Sequence, residues 1–277
     1  MADWITAHAS QLQTWVTLAT FACVALWETF AERRPASTTY RSRWFDNVAL
    51  AILGAAAIRL CFPLAAFAFA ALVQQHGWGL FNQIALPAWL TCTLGVVIVD
   101  AAVYGQHRLF HAVPILWRFH KVHHSDVDVD CGTTLRHHPV ESLLGLAFDF
   151  ALIAALGLPP LAILAATLLI LATSIFNHGN VTMSERVDRA LRRFVVTPDM
   201  HRIHHSTDIV EGNTNFSMLF PWWDHLFSTY RQAPRLGHER MLLGISEAPH
   251  ASDVTLLKAL AMPFRRPATP PGYPAAT

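Results

Sequence analysis

Charge is scarce in this sequence. Of its 277 residues only 14% are charged, against about a quarter in an ordinary soluble domain. The formal net charge is +1, so no bulk field draws nucleic acid. No basic cluster interleaves with aromatics either, and no nucleic-acid partner is expected. Cysteine is scarce too. Cys23, Cys61, Cys92 and Cys131 form no CxxC pair, and three lie inside apolar runs. That argues against a disulfide framework or a thiolate metal site and leaves them as small buried hydrophobes. There is no GxGxxG turn and no cysteine run, hence no flavin fold, haem domain or iron–sulfur motif.

Apolar residues are plentiful, at 53% of the chain, and the mean hydropathy is +0.33. A bilayer core needs roughly 20 helical residues to cross. The first such run is 12–30, interrupted only by Glu28. No positive residue precedes it and no small-residue cleavage site follows, so a removable signal peptide is not expected. The second is 48–73, with Arg59 inside, where a charge should face the bundle or a wet cavity. The third is 84–103, with Pro87 placed for a helix start and Asp100 near its end. The stretch 143–176 is too long for one span, and Pro159–Pro160 divides it into a helical hairpin, crossing or re-entrant.

Arginine and lysine then set the orientation. They cluster after the first run, after the third and after the hairpin, while the loop 74–86 carries no charge. The expected fold is all-α: a multi-span membrane helical bundle of about 4–5 transmembrane helices with a cytoplasmic helical cap. The N-terminus is expected outside and the C-terminus inside, in an inner or plasma membrane. Three regions are expected: N-terminal transmembrane helices in 1–87, a histidine-bearing domain in 88–232 and a partly disordered tail in 233–277, disordered chiefly after Pro263. Within 186–196, Val187, Ala190, Leu191 and Phe194 share one helical face opposite arginines, as in a helix lying among headgroups.

The sequence holds 16 histidines, and they are clustered. His107 and His111 are four apart, on one side of a helix where the third run ends. His120, His123 and His124 form HxxHH, and His201, His204 and His205 form it again. Positions i, i+3 and i+4 span a narrow arc, so three imidazoles there can serve two adjacent ions. His138, in Arg136-His137-His138-Pro139, and His178, in Asn177-His178-Gly179, join them as candidate ligands, with His137 the weaker of its pair. His8, His76, His225, His238 and His250 lack partners at ligand spacing. All the clustered histidines fall on the expected cytoplasmic side, just past the membrane ends. So many imidazoles exceed what one ion can use and suit two. Imidazole serves iron, zinc, copper and nickel alike, so the ligands do not name the metal. Neutral ligands leave the ions' charge uncompensated, which favours anionic oxygen species. Asp126, Asp128, Glu141 and Asp208 lie near the ligands and are candidates to orient an imidazole, bind water or cap a helix. Asp224 reads as a turn or cap residue. Two other readings are open: a histidine-rich metal transporter, and a metal-dependent membrane hydrolase with Asp199 or Glu141 as base.

The three histidine motifs resemble those of the fatty acid hydroxylase superfamily, also called the sterol desaturase family. So do Pro114-Ile-Leu-Trp117, Arg136-His-His-Pro139-Val-Glu141, Asn177-His178-Gly179-Asn180, Thr197-Pro198-Asp-Met-His201 and Trp223-Asp224-His-Leu-Phe227. The resemblance covers roughly 88–230. It implies a membrane-bound nonhaem diiron oxidoreductase that uses dioxygen and external electrons to hydroxylate, desaturate or cleave a lipid through a high-valent iron–oxygen species. It implies two iron ions held by His107, His111, His120, His123, His124, His201, His204 and His205, with His138 and His178 added. The partners it implies are a lipid from the bilayer and a separate electron-donor protein.

Overall fold

A computed structural model describes residues 8–36 and 40–265. Helices in chain order are α1 (Ala9–Phe30), α2 (Tyr40–Cys61), α3 (Ala66–Gln75), α4 (Ala88–Ala112), α5 (Pro114–His124), α6 (Pro139–Leu156), α7 (Pro160–His178), α8 (Glu185–Leu191), α9 (Pro198–His204), α10 (Ile209–Gly212), α11 (Trp222–Leu226) and α12 (Leu256–Ala261). No strand forms among the described residues beyond isolated bridges.

Proline sets the starts. Pro114, Pro139, Pro160 and Pro198 each occupy the first turn of a helix. A ring with φ already near the helical value and no N–H to leave unpaired suits that position. Four of the five helices that carry or flank clustered histidines therefore begin at a fixed residue. The fifth, α4, begins directly after Pro87. Between α6 and α7, Gly157 takes a left-handed φ of 66° as the helix cap. A side chain there would collide with Trp78 and Asn82 of the preceding loop.

Four stretches are long and apolar enough to cross a membrane: Ser42–Gln75, Ala88–Ala112, Pro139–Leu156 and Pro160–His178. Two expectations change. The run 12–30 does form the long helix α1, but Gln11, Gln13, Thr14, Thr17 and Thr20 keep it out of that set. It still packs along α7, with Trp27 stacked on Phe176 and Val24 against Ile175. The run 48–73 is not one continuous helix. It breaks at residues 62–65 around Pro63, which lacks the N–H a helix needs there and disfavours helical geometry at Phe62.

The broken halves continue in one direction. Arg43 of α2 pairs with Asp126 and Asp130 near the histidines. Phe62 and Phe69, on either side of the break, both pack on Phe150 of α6, at 5.2 and 4.3 Å. Beyond them Ala70 and Val73 join Ile153, Leu158 and Ile163 in one core. The result is an up-and-down bundle with the clustered histidines gathered at one end.

The expected helix in 186–196 is shorter, ending at Leu191. It turns Asp188 and Arg192 inward as an ion pair at 2.6 Å and leaves Val187 and Phe194 exposed. The described part of the tail is packed rather than loose: Val254, Ala259 and Met262 share a core with Leu50 and Val122. Residues 266–277, the rest of the expected disordered tail, lie outside the described residues.

Candidate metal centre

Nine buried histidines form two adjoining cages. His107 and His111 of α4, His120 and His124 of α5, and His204 of α9 make one; His123, His178, His201 and His205 make the other. Within each, one nitrogen per ring lies within 4.8 Å of all the rest. In the first, Nε2 of His107 stands 3.1 Å from that of His120 and 2.9 Å from that of His204, and His111 and His124 meet at 3.1 Å. In the second, Nε2 of His178 stands 3.1 Å from that of His123, and 3.2 Å from those of His201 and His205.

The contacts His107–His120, His107–His204 and His123–His178 are not hydrogen bonds. His107 Nδ1 donates to Phe216 O at 2.7 Å, His120 Nδ1 to Glu141 at 2.7 Å and His204 Nδ1 to Thr214 O at 2.8 Å. His178 Nδ1 donates to Ser174 O at 2.7 Å and His123 Nδ1 to Arg136 O at 3.3 Å. A carbonyl or carboxylate oxygen only accepts, so the proton of each neutral ring sits on Nδ1. The facing Nε2 atoms of these five rings are then bare lone pairs, and lone pairs about 3 Å apart repel unless a cation lies between them. Nitrogens placed at right angles around an ion at about 2.1 Å sit about 3 Å from each other. The donor set fits a metal in each cage.

Electrostatics keeps the ligands available. Burial, reinforced by neighbouring imidazoles, holds His123, His124, His201, His204 and His205 well below the ordinary histidine range. They are neutral at pH 7. Because the unfolded chain takes up protons that these buried rings refuse, the metal-free fold loses stability as pH falls below about 6.5.

The structure corrects one candidate. His138 enters neither cage, because both its ring nitrogens are committed elsewhere. Nδ1 accepts from Val140 N at 3.1 Å, capping α6, and Nε2 meets Leu260 O at 3.3 Å. His137, the weaker of that pair by sequence, lies closer to the cages: it stacks on His123 at 4.5 Å and donates to Glu141 at 2.9 Å. Of the acidic candidates, only Glu141 reaches a caged ring. Asp126 bonds Arg43 and Thr133, and Asp208 caps α10 and pairs with Arg235. Asp199 is held by Arg202 and Arg33.

Sequence reasoning missed the loop that holds the first cage. Thr214 and Phe216 give their carbonyls to His204 and His107, and Asn215 between them adopts φ 54°. The Asn215 amide bonds Met200 O, Arg231 O and Arg231 N. Asp224, read from sequence as a turn residue, accepts from Phe216 N at 2.9 Å and Ser217 N at 3.0 Å. The available signal was the amide of Asn215 and the carboxyl of Asp224, polar residues that follow the third motif with no ligand role to explain them.

Among the described residues, the Glu141 carboxylate is bonded to the caged ring of His120. Glu141→Gln is expected to lower metal affinity by about 10- to 100-fold while leaving the fold intact. Equilibrium dialysis against a metal chelator measures it, and unchanged retention would remove Glu141 from the site.

Membrane-length helices thus end in two adjoining histidine groups, each able to hold a metal ion. Residues 92–229 match the sequence model of the fatty acid hydroxylase family. An ornithine lipid hydroxylase from Rhizobium tropici is 30% identical over 271 residues, which cover 91% of this chain and 75% of that protein. The chain belongs to the fatty acid hydroxylase family. An alkylglycerol monooxygenase from Danio rerio is 26% identical, over 68% of this chain and 40% of its own length. A cholesterol 25-hydroxylase from Rattus norvegicus is 31% identical, over 55% of this chain and 50% of its own length. The chain thus spans half or less of these last two relatives. No solved structure gives a significant match.

Proposed function

We propose that this chain is a diiron lipid hydroxylase acting on a polar membrane lipid, with ornithine lipid the first substrate to test. The observation that carries the reading is the pair of adjoining all-histidine cages at one end of the membrane-length helices. The ornithine lipid hydroxylase, matched along most of both chains, supports the substrate class. The ligands assigned are His107, His111, His120, His124 and His204 for one iron, and His123, His178, His201 and His205 for the other. Electrons come from a separate donor protein, and the histidine end faces the cytoplasm, where lysine and arginine concentrate.

The balance is a lipid C–H bond, dioxygen, two electrons and two protons going to a lipid alcohol and water. Bound iron would supply the reduction of dioxygen and the attack on an unactivated C–H bond. The chain does the rest. Carbonyls of Phe216, Thr214, Ser174 and Arg136 fix the ring orientations. Glu141 offsets part of the positive charge through His120. Burial of all nine rings excludes bulk water. A hydrolase would need a free base at the cages, but Asp199 is held by arginines and Glu141 by two histidines.

The test is iron content together with turnover. Protein purified in detergent should hold two irons per chain and, given reductant and donor, consume dioxygen while adding one oxygen atom to ornithine lipid. Tightly held zinc with oxygen-independent lipid hydrolysis would refute the proposal.

A further inference from the structure

The approach to the five-histidine cage carries a charge that metal binding does not use. A cleft of about 90 Å³ reaches His111 and His124. Trp117 and Lys121 of α5 line it together with Ile209, Asn213 and Glu247. Lys121 follows the caged His120 directly. Its side chain is buried, and its ammonium donates to Glu247 at 2.8 Å. Behind this pair lies a second cavity of about 210 Å³, with Asp253, Lys258 and Arg265 in its walls. Lys121, Ile245 and Glu247 line both spaces. The ion pair therefore borders both.

Lysine is seldom buried without a partner, and here the partner is the more exposed of the two. The Glu247 side chain is 28% exposed, against 6% for Lys121. Glu247 lies in a segment without helix or strand, whereas Lys121 sits in the helix that carries three caged histidines. Ile245 and Ala248, which flank Glu247, are bridged and buried, so any exchange of partner at Lys121 is a change of the Glu247 side chain alone. The rest of the cleft mixes apolar Trp117, Ile209 and Ile245 with a few polar groups, the make-up of a site that binds an amphiphile and fixes its orientation.

Resting on the lipid-hydroxylase reading, we propose that Lys121 recognises an anionic oxygen group, carboxylate or phosphate, on the headgroup of the lipid substrate. Glu247 occupies the lysine in the lipid's absence and is displaced by that group. One anion replaces another, so Lys121 is never left buried and unpaired. Lys258 and Arg265, in the walls of the second cavity, add positive charge beside it.

The test is binding to the iron-loaded protein in neutral detergent, without reductant, by isothermal titration. Three lauryl-chain probes are compared: N-lauroylglycine (carboxylate), dodecyl phosphate and neutral monolauroylglycerol. At least one anionic probe should bind about tenfold tighter than the neutral one, and which one identifies the headgroup chemistry. Lys121→Gln should erase the preference and Lys121→Arg should keep it. Glu247→Gln should strengthen anionic binding severalfold and leave neutral binding unchanged, an effect that a purely structural ion pair does not produce. Equal affinity for anionic and neutral probes would overturn the proposal. So would a preference that survives Lys121→Gln, or anionic binding that weakens in Glu247→Gln. Selectivity without any oxygen-dependent turnover would support the subsite and count against the hydroxylase reading alone.

Discussion

His204→Ala should strip metal from the five-histidine cage and abolish turnover while membrane insertion and helix content stay intact. The Nε2 of His204 stands 2.9 Å from that of His107, and its Nδ1 is tied to the 214–216 loop. Losing the ring removes a donor and leaves the Thr214 carbonyl without its partner. Removal of groups that merely orient ligands costs about 10- to 100-fold in metal affinity, so removal of a ligand should exceed that. His138→Ala is the matched control and should hold iron as the parent does, since its ring serves a helix cap and the Leu260 carbonyl. Metal analysis of the two purified variants decides the assignment. Full iron in His204→Ala, or loss of iron in His138→Ala, would reverse it.

The second large effect is on stability. Arg43 is buried and pairs with Asp126 and Asp130, themselves buried. Asp130 also accepts from Trp44 and Gly132, and Asp126 from Thr133. The cluster ties α2 to the connection between α5 and α6, directly beside the second cage. Arg43→Met removes the cation that Asp126 and Asp130 share and leaves Arg136, near Asp126, as the remaining positive charge. Breaking a buried pair in this way costs about 3–5 kcal/mol. Reversible unfolding in mixed detergent micelles measures it, and Asp130→Asn added to Arg43→Met should recover part of the loss. A cost below about 1 kcal/mol would mean the cluster is solvated and contributes no more than a surface pair.

The parts legible in the sequence were those with a period. Two HxxHH motifs and one HxxxH pair place eight imidazoles on helical arcs, and the structure brings all eight together. The proline pair divided the last apolar stretch correctly into α6 and α7. What escaped was set by contacts between distant residues. The spacing of His137 and His138 cannot say which one turns to cap α6, because that depends on Pro139 starting the helix and on Leu260 arriving from the far end of the chain. The interruption at Pro63 was hidden by the apolar residues around it, which read as one continuous run. The carbonyls of Thr214 and Phe216 carry no side-chain signature, and only the fold shows what they hold.

The two cages share their supports. His120, His123 and His124 lie within two turns of α5, yet the outer pair feeds one cage and the middle ring the other. At the end of α9 the arrangement inverts: His204 serves the first cage, while His201 and His205 serve the second. Neighbouring helical residues point about 100° apart around the axis. Two short peptide helices therefore act as rulers, and the spacing of the two cages is graduated in backbone pitch.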